Sequence, residues 1–153
     1  MSNFYVKIGD TVSVTKTVGE SDVYMYAGIT GDLSWNHVNE HFMKKTAYGG
    51  RIAHGALMVG FMSTASTLMV EKCGGGVPAD ETPVSLGYDR VRFIGPVFLG
   101  DTITVTYTII GIDDVKRRSN SEIKITNQRG ETVAVANHIL KWVPNSSDLR
   151  AAE

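Results

Sequence analysis

The period of the apolar positions changes along the chain. "DTVSVTKTV" (10–18) alternates apolar and polar residues, which predicts a strand with one buried face. "SDVYMYAGIT" (21–30) predicts a short helix, with Ser21 as a candidate cap and Gly31 ending it. A second short helix is expected around "NEHFMKKTA", with Asn39 as N-cap. Residues 52–70, "IAHGALMVGFMSTASTLMV", contain no Asp, Glu, Lys or Arg and predict a long buried helix, stopped by "CGGG" at 73–76. From residue 84 the runs become β-branched and alternating. "VSLGYDRVRFI", "DTITVTYTIIGI", "SNSEIKITNQ" and "ETVAVANHILKW", separated by short turn-forming segments, predict an antiparallel meander.

One long helix with about five antiparallel strands makes an α+β domain, and an apolar helix of this kind requires the sheet to wrap it and bury it on all sides. The uncharged stretch 52–70 is also long enough to suggest a membrane span, but its His, two Gly and several Ser and Thr weaken that signal, so a soluble core helix is expected. No repeat, linker or low-complexity segment divides the 153 residues, which are expected to form one domain with a core over about 6–143 and a frayed tail over 144–153.

Composition narrows the partners. Fifteen Lys and Arg against sixteen Asp and Glu, with "KRR" (116–118) as the only basic run, argue against a nucleic-acid or anionic-membrane footprint. One cysteine, Cys73, excludes an internal disulfide framework and suits a reducing compartment. The start "MSNFYVKIGD" lacks the basic and apolar regions of a signal peptide, so a cytoplasmic location is expected.

The candidate chemistry sits in "GDLSWNHVNEHF" (31–42), just before the long helix. Asp32 and His37 are five positions apart, a spacing that one regular helix would spread around its axis. An irregular loop could bring them together, and a carboxylate and an imidazole facing one small volume can activate a water. The same residues also suit a turn aspartate and an exposed loop histidine. His37 and His41 share the i, i+4 spacing of a metal face, but no third ligand pattern accompanies them and no metal is expected.

A second candidate follows at His54-Gly55, the expected start of the long helix. Unpaired N–H groups and the positive end of the helix dipole collect there, and glycine permits close approach of a carbonyl. Such an end can hold a developing oxyanion. A packing glycine and a core histidine would fit the sequence equally well.

"YAGITGDLSWNHVN", "RIAHGALMVGFMS" and "VRFIGPVFLGDTITV", in this order across roughly residues 6–143, resemble the landmarks of the MaoC-like, R-specific enoyl-CoA hydratases. The resemblance implies a single hot-dog domain, a curled antiparallel sheet wrapped around a long central helix, and a dimer or dimer of dimers. It implies reversible hydration of a trans-2-enoyl-CoA to an (R)-3-hydroxyacyl-CoA, with no metal or redox cofactor and with the coenzyme A thioester as substrate. Asp32 and His37 match the water-activating pair, Gly55 the oxyanion donor, and Ser63 a site-lining serine. Ser34 and His54 are placed beside the substrate by the same motifs.

The chain departs from the family's Asp-x-Asn-Pro-x-His pattern, with Ser34 and Trp35 in place of the asparagine and proline. Tryptophan is bulky and lacks the fixed φ of proline, so a reshaped acyl pocket, or a subfamily acting on an unusual β-substituted acyl-CoA, is expected. A hot-dog thioesterase and a non-catalytic acyl-CoA-binding domain are the alternatives. Arg51, Lys44, Lys45, Arg90 and Arg92 are candidates for the coenzyme A phosphates.

Overall fold

The computed structural model describes residues 4–73 and 75–145. Five strands form one antiparallel sheet in the order β1-β3-β4-β5-β2, where β1 is Thr11–Thr17, β2 Glu81–Phe93, β3 Thr102–Asp113, β4 Arg118–Asn127 and β5 Thr132–Pro144. β3 shows why the alternation forms a sheet. Ile103, Val105, Tyr107 and Ile109 point into the core, while Thr102, Thr104, Thr106 and Thr108 face outward and pair through their hydroxyls with Thr17, Thr15, Ser13 and Thr11 at 2.7–3.3 Å. These cross-strand hydroxyl pairs fix the register of an otherwise exposed edge.

The helices are α1 (Glu20–Thr30), α2 (Trp35–Val38), α3 (Glu40–Met43) and α4 (Gly55–Lys72). α4 packs against β1 and β3 through Met58, Met62, Ala65, Met69 and Val70, a stripe at three- and four-residue spacing. Its C-terminus closes as the glycines demand, for Gly75 and Gly76 have φ of 74° and 97° and the Gly76 N–H returns to the Val70 carbonyl at 3.1 Å.

Several boundaries differ from the sequence expectation. α4 starts at Gly55, because residues 52–53 pair instead with 97–98: Ile52 bridges Phe98, and Ala53 N–H donates to Val97 O at 2.7 Å. α1 is capped at Gly19, whose N–H donates to the Asp22 carboxylate at 2.8 Å, and not at Ser21. Asn39 does cap α3, accepting from Phe42 N–H at 2.9 Å. β2 begins at Glu81, where the Arg117 guanidinium grips the carboxylate. Pro144 belongs to β5, and Asn145 accepts from the Thr82 hydroxyl at 2.6 Å; the rest of the expected frayed tail lies outside the described residues.

The expectation that the sheet buries α4 on all sides is not met within one chain. Ala56, Gly60, Ser63, Thr64 and Thr67 face outward along one side of the helix, where small and hydroxyl-bearing residues cost little to expose. Among the described residues no helix is long and apolar enough to cross a membrane.

Candidate active site

A cavity of about 320 Å³ opens at the N-terminus of α4, between the α2 segment and the turn after β2. His37, His54, Gly55, Tyr48, Phe93 and Val97 line it, together with Asn36. The chain builds this corner in three steps. α1 ends at Gly31, in the left-handed conformation with φ 77°. Residues 31–34 then run without regular structure, and the Ser34 carbonyl accepts from the His37 N–H at 2.9 Å to start the single turn of α2. Asp32 therefore sits in a loop and His37 in a helical turn, the irregular geometry that their spacing requires.

Hydrogen bonds fix both histidine rings. His37 is buried, and its Nδ1 lies 2.8 Å from the Ile52 carbonyl oxygen. A carbonyl only accepts, so Nδ1 carries the proton and Nε2 is the nitrogen left with a lone pair. Ile52 is itself held, since its N–H donates to Asn36 O at 3.0 Å. His54, 1% exposed, places Nε2 at 2.9 Å from the Asp32 main-chain oxygen and 4.0 Å from its carboxylate. The two imidazoles stack with centroids 3.7 Å apart.

Asp32 stands half exposed at the edge of this cluster, off the cavity wall, with its carboxylate accepting from Ser34 N–H at 3.3 Å. Ligand atoms of Asp32, His37 and His54 lie within 4.8 Å of one another, close enough for one cation. Two of the four ring nitrogens are committed to main-chain oxygens.

Gly55 is the first residue of α4, so its N–H belongs to the unpaired first turn. The Phe93 ring covers it closely enough that a Cβ would stand 2.6 Å from Phe93 Cδ2. The contact is produced by a bulge in β2, where Arg90 adopts φ 53° and register shifts between Asp89 and Arg92. A bulge of this kind re-aims the following side chains. The stretch "VRFIGPVFLGDTITV" contains Phe93, but no periodic signal in sequence indicates that it meets Gly55. Tyr48 was likewise illegible, being brought in by the loop after α3.

The remaining expected residues fall in different places. Ser63 lines a second cavity, of about 330 Å³, together with Ser66 and Ser85, two turns along α4 from Gly55. Ser34 is exposed and acts through its backbone. Trp35, 61% exposed, packs edge-on against Phe42 and is not part of the cavity wall. Arg51 is engaged by Glu20, Glu40 and the Tyr24 hydroxyl, and its guanidinium pKa is raised chiefly by the hydrogen bond to Glu20. Lys44 pairs with Glu40, and Lys45 Nζ lies 2.9 Å from His41 Nε2. Arg90 and Arg92 form no ion pair among the described residues.

The architecture has close counterparts among solved structures. The (R)-hydratase from Aeromonas caviae aligns with TM-score 0.77 at 22% identity, covering 89% of this chain and 96% of that one. A hot-dog-like protein from Thermanaerovibrio acidaminovorans aligns with TM-score 0.66 at 18% identity, over 96% and 89% of the two chains. At these identities the likeness concerns the fold, and the fold is the hot-dog. Sequence goes further: the MaoC-like domain model matches residues 5–130. An (R)-specific enoyl-CoA hydratase of Rhodospirillum rubrum is 35% identical over 113 residues, 73% of this chain and 72% of that protein. A 3-hydroxybutyryl-CoA dehydratase of Methylorubrum extorquens is 30% identical over 143 residues, 94% of this chain and 84% of that protein. The chain belongs to the MaoC-like domain family.

Proposed function

We propose that the protein is a hydro-lyase that reversibly adds water to a trans-2-enoyl-CoA to give an (R)-3-hydroxyacyl-CoA. The observation that carries this reading is the convergence of Asp32 and His37 beside the N-terminus of α4, where Gly55 supplies a backbone N–H. The names borne by the two relatives above are in keeping with it.

In this mechanism the thioester oxygen approaches the Gly55 N–H. Asp32 and His37 hold a water against Cβ, His37 Nε2 being the ring nitrogen free to accept its proton. As the water oxygen bonds to Cβ, the π electrons of the double bond move onto the thioester oxygen, and the N–H stabilises that developing charge. A proton from the pair then passes to Cα on the same face, completing syn addition with nothing left over. Losing one donor to such an oxygen typically costs about 3–4 kcal/mol of barrier. Adding water changes no oxidation state overall, so the reaction calls for no redox cofactor, and we assign no metal.

We further infer a homodimer. β2 is thirteen residues long and occupies an edge of the sheet, and the outward face of α4 beside it carries Gly60, Ser63, Thr64 and Thr67. A long unpaired edge is a template for strand pairing, and small residues let a second backbone approach. A cytoplasmic location accords with the unpaired Cys73. Stereochemistry tests the reaction: the product formed from crotonyl-CoA should be oxidised by a dehydrogenase specific for the (R)-3-hydroxy thioester, and oxidation only by an (S)-specific enzyme would refute the assignment.

A further inference from the structure

We infer that His54 is a positioning residue that locks the two members of the water-activating pair to each other and to the oxyanion donor, rather than a residue that binds substrate; this rests on the reading of Asp32, His37 and Gly55 given above. Three contacts carry it. Nε2 of His54 donates to the Asp32 carbonyl at 2.9 Å. Its ring lies on that of His37, with centroids 3.7 Å apart and planes 27° from parallel. It also meets the ring of Tyr26, at a centroid distance of 4.7 Å and a tilt of 50°. Tyr26 belongs to α1, His37 to α2 and His54 is the N-cap of α4, so one side chain joins three helices at the point where they meet.

Asp32 needs this support. Its loop has no regular structure, and its own local bonds are to immediate neighbours, from Ser34 N–H at 3.3 Å and to the Thr30 hydroxyl at 3.2 Å. The bond from His54 spans twenty-two residues and is the contact that refers the loop to α4. Since Nε2 is spent on a main-chain oxygen and Nδ1 is buried with no hydrogen-bond partner, the ring has no proton donor to offer a ligand in the cavity. The next peptide unit is that of Gly55, so displacing His54 also displaces the N–H assigned to the thioester oxygen.

The test uses H54F, which keeps a ring for stacking and loses the donor, and H54Q, which keeps a donor and loses the ring. Each is compared with the parent and D32N in steady-state hydration of crotonyl-CoA and in equilibrium binding of butyryl-CoA, whose saturated chain cannot react. A misplaced catalytic group costs on the order of a hundredfold in rate, so kcat should fall by about 10–100-fold in both variants. Binding of butyryl-CoA should change by no more than about threefold, as expected where only transition-state interactions are lost. Should H54F fail to fold, as judged by circular dichroism, H54Q carries the same comparison. Unchanged kcat in H54Q or H54F, or a loss of butyryl-CoA binding equal to the loss of rate, would overturn the positioning role. Normal hydration by D32N would instead overturn the underlying site.

Discussion

Nδ1 of His37 donates to the main-chain oxygen of Ile52 at 2.8 Å, and this bond selects the tautomer whose Nε2 can accept a proton. The acceptor is not a flexible group. Ile52 is bridged to Phe98 and its own N–H is bonded to Asn36, so ring orientation is set by backbone pairing. The chemistry proposed for His37 therefore depends on segments far from it in sequence.

The close meeting of Gly55 and Phe93 yields a paired prediction. G55A should push the Phe93 ring out of place, since its Cβ would overlap the ring at 2.6 Å, and reduce kcat/KM for crotonyl-CoA by about a hundredfold, the scale of a misplaced site group. F93A should lessen that loss when combined with G55A, because the overlap is removed. A double-mutant cycle on kcat/KM reads the coupling; additive effects would show that the two residues act separately.

Arg51 fastens the site's supporting elements together. It bonds Glu20 and Tyr24 of α1 and Glu40 of α3, and it directly precedes Ile52. R51M should lower stability in urea unfolding by about 1.5–3 kcal/mol, the range for hydrogen bonds to charged groups, and lower kcat as well. A stable variant with full activity would show that the clamp is dispensable.

His138 makes stability depend on pH. It is fully buried between Ser85 and Tyr107, and desolvation lowers its pKa to about 4. Below about pH 6.5 the unfolded chain takes up a proton that the folded chain refuses, so stability falls as pH drops from there towards 4. The loss attributable to this group reaches on the order of 3 kcal/mol at the low end of that window. Urea midpoints measured between pH 7 and 4 should show this slope in the parent and a flatter one in H138N. Equal slopes would remove His138 from the account.

The proposed dimer predicts that G60R, on the outward face of α4 where a Cβ would meet nothing within 4 Å in the chain itself, leaves the fold intact and yields a monomer in sedimentation velocity. A G60R protein that sediments like the parent would place the interface elsewhere.

Much of this architecture was legible because its signals are local. Thr102 to Ile109 alternate with period two, and Met58, Met62, Ala65 and Met69 recur at helical spacing, so sheet and helix follow from counting. Gly31 and Asn39 marked element ends through their own backbone and side-chain chemistry. The meeting of Phe93 with Gly55 was not legible, since it depends on a bulge whose Arg90 carries no turn signature. Nor was the Tyr107–His138–Ser85 network, for His138 occupies an ordinary inward position of β5 and its partners come from two other strands. The exposed face of α4 was not legible either, because absence of charge does not distinguish a residue buried within the chain from a small one left at its surface.

In the proposed reaction Asp32 and His37 together add water to an enoyl thioester. Its most direct test follows the enoyl-thioester absorbance of crotonyl-CoA with parent, D32N and H37Q proteins, while titrating free thiol. Rapid loss of absorbance in the parent without release of coenzyme A, reduced in each variant by about 10²–10⁴-fold as removal of an acid–base group requires, is the predicted result. Undiminished loss in either variant, or release of free coenzyme A in step with it, would contradict the assignment.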